Sequence, residues 1–455
     1  MMLLYIILLL VTTIKANNYF VVICNIDNIA ESYLVMNSEY RKIADTYTKD
    51  YIISRLYLDP PKFIEYDSLK NLTQGPLIES MDIAEINADT IMLKNMLLFE
   101  LCQGTKDFLY DVVKISNCYN PSITKWKERY LIACRSNNGY GGPISFGWLD
   151  NTTFSLAHEY NYLGIGPELT KINTLSGEDY RIYTINDDKV LISYTFYPQK
   201  RFAQMRHAEL IINNKTNTID IINDEFLVPF NSTEKFLAVH EKNWCPFQYK
   251  DKILFLKHID PMITISVTDS RDIHEYEGYF SYRPLSRHYQ FFSLANKVDL
   301  KWDYGEIHGG TTARRINSDS YLAFFHSKDK LPNSSLITYF FGAFLFDASP
   351  PFRIKAFSRA PIVKREFYEG KWSHWLNYVD YIVFPMSYII LNDNFDYNNC
   401  EVECQKNITL LISIGTQGKY ILLYIIMKNN NIILDIDGWI AKMNLKKLLD
   451  TLRSI

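Results

Sequence analysis

Ser176 to Tyr197 reads SGEDYRIYTINDDKVLISYTFY. A charged motif, Glu178-Asp179-Tyr180-Arg181, comes first, then an Asn/Asp turn, then the apolar and aromatic run Lys189 to Tyr197. β-Branched and aromatic residues bounded by turn formers read as strand. The same texture recurs along the chain from about residue 105, in Arg129 to Cys134 (RYLIAC), Lys252 to Leu256 (KILFL), Tyr321 to His326 (YLAFFH) and Ile408 to Ile414 (ITLLISI). Tyr420 to Met427 (YILLYIIM) reads as the hairpin partner of the last of these, across Gly415 to Gly418. No long amphipathic helix interrupts the pattern. A polar motif precedes each strong run: Asn120-Pro121-Ser122-Ile123, Glu178 to Arg181, Lys242 to Phe247, His308 to Thr312, and Phe384-Pro385. The gaps are about 60 to 75 residues, which suits a propeller blade of four strands. Each motif is then expected at the start of an inner strand, near a central channel.

Working outward, the 455 residues are 47% hydrophobic and 22% charged, an ordinary globular balance. Aromatics reach 15%, which favours strands and sugar-stacking surfaces. The net charge of -3 gives no basic excess, so nucleic acid is not an expected partner. Met1 to Ile14 is almost wholly apolar and shorter than the roughly 20 residues of a membrane span. With Ala16 behind it, the segment reads as a cleaved signal peptide over 1–16, with a retained signal anchor as the alternative. A membrane partner is expected only if the segment stays uncleaved, and the expected location is secreted or lumenal. Residues 17–104 read as a short mixed α/β extension, with helical spacing in Ser80 to Glu100, and 105–455 as the propeller.

Six Asn-x-Ser/Thr triplets follow, at Asn71, Asn151, Asn214, Asn231, Asn333 and Asn407. They gain meaning as glycosylation acceptors from the signal-like start. Of the seven cysteines, Cys102 with Cys118 and Cys400 with Cys404 are the nearest in sequence and the first expected pairs. No further ligands accompany Cys400 and Cys404, so no metal or other cofactor is expected. The Gly139 to Gly142 and Gly164 to Pro167 stretches lack a following helix and are not nucleotide cradles.

The ordered motifs resemble those of glycoside hydrolase family 130, five-bladed β-propellers that include β-mannoside phosphorylases and mannosidases. Related eukaryotic propellers are β-mannosyltransferases. Gly177 to Ile182 is similar to that family's G-x-E-D-P-R block, Glu241 to Phe247 to its K-N-x-x-x-F block, and Ile307 to Thr312 with Tyr321 to Ser327 to its glycine pair and His-ended strand. Tyr339 to Ile362 resembles its strand, Asp-Pro turn and return strand, and Val383 to Pro385 its last-blade start. The resemblance implies an all-β, five-bladed propeller and an inverting reaction, in which an acid protonates the leaving oxygen opposite a nucleophile. It places the acid at Asp179, working through a sugar hydroxyl, and substrate contacts at Asn120, Arg135, Glu178, Arg181, Lys242, Asn243 and His326. Read alone, Lys242 and Asn243 fit a solvated turn equally well, His326 a core residue, and Trp244 either a sugar platform or plain core.

Three departures from the family pattern matter. Tyr180 stands where the family has Pro, which would hold the preceding residue extended. Phosphorolysis needs several cations around inorganic phosphate, yet His258 stands where Arg is usual, and Gly415 to Gly418 lack the expected Asp. Arg206, Lys242, His258 and His326 remain candidate contacts to phosphate or a sugar-phosphate donor. The sequence thus points to hydrolysis or glycosyl transfer on β-mannosides or similar β-linked sugars, with a glycan as partner. The alternative is a non-catalytic secreted propeller that binds a glycan or a protein.

Overall fold

Residues 19–44 hold three strands, β1 (Tyr19–Ile26), β2 (Ile29–Met36) and β3 (Glu39–Ala44), in one antiparallel sheet. They belong to a first unit of the chain; the second unit holds the five-bladed β-propeller. The computed structural model describes residues 19–26, 29–36, 39–44, 109–116, 118–135, 142–155, 176–185, 189–199, 202–213, 215, 218–229, 241–273, 285–330, 337–364, 367, 379–392, 395–398, 408–417 and 437–455. The signal segment, the helix expected at 80–100, and Tyr420 to Met427 lie outside them.

The second unit begins with β4 (Leu109–Ser116), whose sheet neighbour comes only at the far end of the chain. The first blade is β5 (Tyr119–Trp126), β6 (Arg129–Arg135) and β7 (Gly142–Leu149). The second is β8 (Ser176–Ile185), β9 (Lys189–Gln199), β10 (Phe202–Asn213) and β11 (Thr218–Pro229). The third is β12 (Cys245–Tyr249), β13 (Lys252–His258), β14 (Ile263–Ile273) and β15 (Leu285–Leu294). The fourth opens on the short β16 (Glu306–Gly309) and β17 (Arg314–Arg315), followed by β18 (Ser320–Lys330), β19 (Ile337–Asp347) and β20 (Ile354–Ser358). The fifth is β21 (Val379–Ile390), β22 (Thr409–Gln417) and β23 (Asp437–Asn444), completed by β4 in antiparallel pairing. Strands from opposite ends of the second unit thus share a blade, with β4 as its outermost strand, which closes the ring. Among the described residues, helix α1 (Leu445–Asp450) is capped by Asn444 and leads to β24 (Leu452–Ser454), which pairs with β20.

The apolar runs within the described residues become the second strand of each blade, β6, β9, β13, β18 and β22. The polar motifs fall on or just before the innermost strands, as expected. The hairpin expected for Ile408–Ile414 is corrected: β22 pairs with β21 on one edge and β23 on the other. The disulfide expectation is corrected too. Cys118 bonds Cys134, with Cα atoms 5.0 Å apart, and not Cys102. The antiparallel register Tyr119↔Arg135 sets the residue before β5 beside the end of β6, which spacing alone did not reveal. Cys102, Cys400 and Cys404 lie outside the described residues.

The inner strands are stitched by side chains that reach backbone across blades. Ser387 Oγ of the fifth blade accepts from the Ile123 N–H of the first, and Ser122 Oγ accepts from the Ile182 N–H of the second at 3.0 Å. Arg314 Nε donates to the Tyr388 carbonyl at 2.8 Å, and Tyr388 donates to the Leu322 carbonyl at 2.7 Å, joining the fourth and fifth blades. Each bond satisfies a group that burial would otherwise leave orphaned. Between these layers lie aromatic cores, such as Phe247 with Tyr321, Phe346 and Phe352 at 5.3 to 5.7 Å.

One core group titrates in an accessible range. His207 on β10 bonds the Tyr183 hydroxyl through Nε2 at 2.9 Å, and burial, helped by Lys189, lowers its pKa to about 4. The folded state therefore favours the neutral ring. Its contribution is fully present above the ordinary value near 6.5 and is lost as pH falls from there towards 4. Wild-type protein should lose on the order of 3 kcal/mol of unfolding free energy over that window from this group. Urea midpoints at pH 7 and 4.5 should therefore diverge less in His207→Gln; an equal shift in both proteins would count against the assignment.

Candidate active site at the inner strands

Three inner strands repeat one backbone device. Asn120, Asp179 and Asn243 take positive φ values of 46°, 54° and 62°. Asn and Asp tolerate this left-handed region better than other non-glycine residues. Register shifts at Tyr119/Ser122 and Glu178/Arg181 mark bulges there, which re-aim neighbouring side chains out of strict alternation. Asp179 is thus left-handed and not extended. Tyr180 is buried and packs on Tyr194 at 5.3 Å.

The bulges bring the first two blades together. Asn120 Nδ2 donates to Asp179 Oδ1 at 2.7 Å, and Arg135 Nη2 donates to Glu178 Oε1 at 2.7 Å. Burial pushes the Glu178 carboxyl above its ordinary range; Asp179 adds to this, while Arg135, a hydrogen bond from Tyr197 and Lys242 oppose it. Arg181 is fully buried. Its Nε donates to the Gly310 carbonyl, Nη1 to the Asp179 carbonyl at 3.0 Å, and Nη2 to Asn243 Oδ1 at 3.3 Å. One guanidinium thus ties the second blade to the third and fourth. A Cβ on Gly309 would stand 2.0 Å from the Asn243 carbonyl oxygen, so only glycine lets β16 approach this closely.

The imidazole side of the site follows from the register His308↔His326. The two rings stack at 5.3 Å, and His326 lies 4.2 Å from Phe384 and 5.8 Å from Tyr339. The Gly309 carbonyl accepts from His326 Nδ1 at 2.8 Å, which leaves Nε2 as an acceptor. Burial holds the His326 pKa well below the ordinary value, with His308 and Arg181 adding to it, so the ring is neutral. Phe384 also receives the Arg181 guanidinium at 5.7 Å, joining both halves. Lys242 is exposed, and its charge acts on both Glu178 and His326.

Asn120, Arg135, Glu178, Asp179, Arg181, Lys242, Asn243 and His326 therefore form one connected neighbourhood. Arg206 and His258 do not join it. Arg206 stands two strands out on β10, salt-bridged to Asp224 at 2.8 Å and packed on Phe226 at 4.4 Å. His258 is exposed and bonds the Pro261 carbonyl at 3.0 Å. Trp244 is core and not a platform: it is buried against Tyr289 at 5.1 Å, and its Nε1 donates to Glu241. Tyr119, Tyr197, His308 and Phe384 belong to the neighbourhood without having been expected as contacts; of these His308, beside its glycine pair, and Phe384, in the last motif, carried a visible signal. Among the described residues no group of three or more His, Cys, Asp or Glu could hold a metal ion, and no helix is long and apolar enough to cross a membrane.

No family model matches the sequence, and no curated protein matches it. Among solved structures the chain is similar to a candidate glycoside hydrolase from Bacteroides ovatus, at 12% identity and a TM-score of 0.42 over 73% of this chain and 88% of that one. It is similar to a hypothetical protein from Leishmania major at 11% identity and 0.41, over 76% and 93%. The catalytic domain of the Coprinopsis cinerea GH62 α-L-arabinofuranosidase follows at 11% and 0.36, over 72% and 92%.

Gly415 on β22 supports the Asn120–Asp179 contact from behind, since a Cβ there would stand 1.9 Å from Asn120 Oδ1. Gly415→Ala should displace Asn120 and lower the unfolding free energy by about 1–3 kcal/mol, the usual cost of overpacking. Urea titration reads this, and an unchanged midpoint would contradict the packing.

Proposed function

We propose that the chain is a carbohydrate-active enzyme that acts on β-mannosides or similar β-linked sugars by inverting hydrolysis or glycosyl transfer. The observation that carries this reading is the consecutive pair Glu178 and Asp179 on one bulge, each held through one oxygen by a donor from the first blade. Inverting transfer asks for a carboxyl placed to give a proton and polar groups that fix the sugar. Asp179 takes the role of proton donor. Arg135 fixes Glu178, and Asn243, Lys242 and His326 line the same neighbourhood. The aromatic rings of Phe384 and Tyr339 suit the apolar face of a sugar.

The charge inventory favours water or an acceptor sugar over phosphate as the nucleophile. Arg181 and Arg206 are committed within the chain, and the buried His326 is neutral. Lys242 remains as the exposed cation of the neighbourhood. The Cys118–Cys134 bridge and the exposed turn that carries Asn151 support a route through an oxidising, secretory compartment.

Incubation with mannobiose, with and without phosphate, and with a mannose donor plus acceptor separates the activities. Release or transfer of mannose without phosphate is expected, and Asp179→Asn should lower kcat at least about a hundredfold while sugar affinity stays within a few-fold. Phosphate-dependent release of mannose 1-phosphate would overturn the choice of nucleophile. Sugar binding without turnover under any condition would leave the non-catalytic alternative standing.

A further inference from the structure

We propose that Tyr119 is a substrate-binding residue, its hydroxyl donating to a hydroxyl of a neutral sugar held beside Glu178 and Asp179; this rests on the carbohydrate-active reading above. Tyr119 opens β5 and directly precedes the left-handed Asn120 that holds Asp179. It stands opposite Arg135 in the register, with that guanidinium 5.4 Å from its ring centroid. The charges that act on its phenol are those of Arg135, Asp179, Glu178 and Tyr339. Tyr119 therefore sits where the carboxyl half of the site meets the imidazole half, since Tyr339 stacks on His326.

What sets Tyr119 apart is its freedom. Tyr197 already bonds Glu178, Asn120 bonds Asp179, and Arg135 bonds Glu178. Among the described residues the Tyr119 hydroxyl makes no hydrogen bond, and the side chain is half-buried. A phenol in such a position needs a partner from outside the chain or from water. Burial raises its pKa far above neutrality and the two carboxyls add to this, so it stays protonated and can donate. Two carboxyls beside it disfavour an anionic substituent at that point. The ligand group that fits is an uncharged hydroxyl, as on a hexose ring, and not a sugar acid or phosphate.

Tyr119→Phe keeps the ring against Arg135 and removes only the oxygen. Kinetics on mannobiose should show KM raised roughly tenfold, the value of one hydrogen bond to a neutral group, with kcat within about twofold and an unchanged thermal midpoint. Calorimetry of mannobiose binding to Asp179→Asn, against Asp179→Asn combined with Tyr119→Phe, reads the same contact without turnover. Equal KM and equal affinity in folded protein overturn the assignment while leaving the enzyme reading intact. A wild-type protein that binds mannobiose without turning it over defeats the enzyme reading, and the affinity ratio then still decides Tyr119. Failure of the wild-type protein to bind the sugar at all overturns both.

Discussion

The buried Arg181 guanidinium is the constraint on which the rest of the site depends. Its three donors reach the Asp179 carbonyl, the Asn243 side chain and the Gly310 carbonyl, so three blades are fixed by one planar group. Burial works against its charge, and the cost is offset only because the planar fork meets acceptors at set angles. A lysine could not satisfy the same set. The left-handed turns at Asp179 and Asn243 and the bare backbone of Gly309 are the local conditions that let those acceptors stand where they do. With Arg181 committed to structure, Asp179 is oriented from both sides, by Arg181 at its backbone and Asn120 at its carboxyl.

The five-blade architecture was legible because each blade writes the same two signals, a polar motif and then an apolar strand. The apolar runs are second strands, packed on both faces, so they read as continuous hydrophobic segments. The innermost strands showed only their polar starts and no apolar run, since Ser122, Thr124, Arg181 and Ser387 face neighbouring blades and are buried through hydrogen bonds. Long-range pairing stayed hidden for the same reason that it is long-range. Nothing in Leu109 to Ser116 announces that its partner is Asp437 to Asn444, nor in Ile408 to Ile414 that its second neighbour lies beyond the next apolar run.

At the site, the motif residues were legible and their division of labour was not. Asp179, Glu178, Arg181, Lys242, Asn243 and His326 stood out as polar residues at strand starts. That Arg181 is structural while Arg135 holds a carboxyl depends on burial and register. Arg206 looked like a phosphate ligand by charge alone, but Asp224 on the neighbouring strand takes it. Tyr119 was invisible because a tyrosine among 33 carries no signal of its own. Only its place opposite Arg135 and before the turn at Asn120 gives it meaning.

The proposed function places the sugar at the Glu178–Asp179 bulge, framed by Arg135, Arg181 and His326. A crystal structure of the Asp179→Asn protein soaked with mannobiose tests this most directly. A sugar ring is expected within hydrogen-bond distance of the side chain at position 179 and of Tyr119, with Arg181 still bonded to Gly310 and Asn243. A sugar bound on another face of the propeller, with the bulge unchanged, would contradict it.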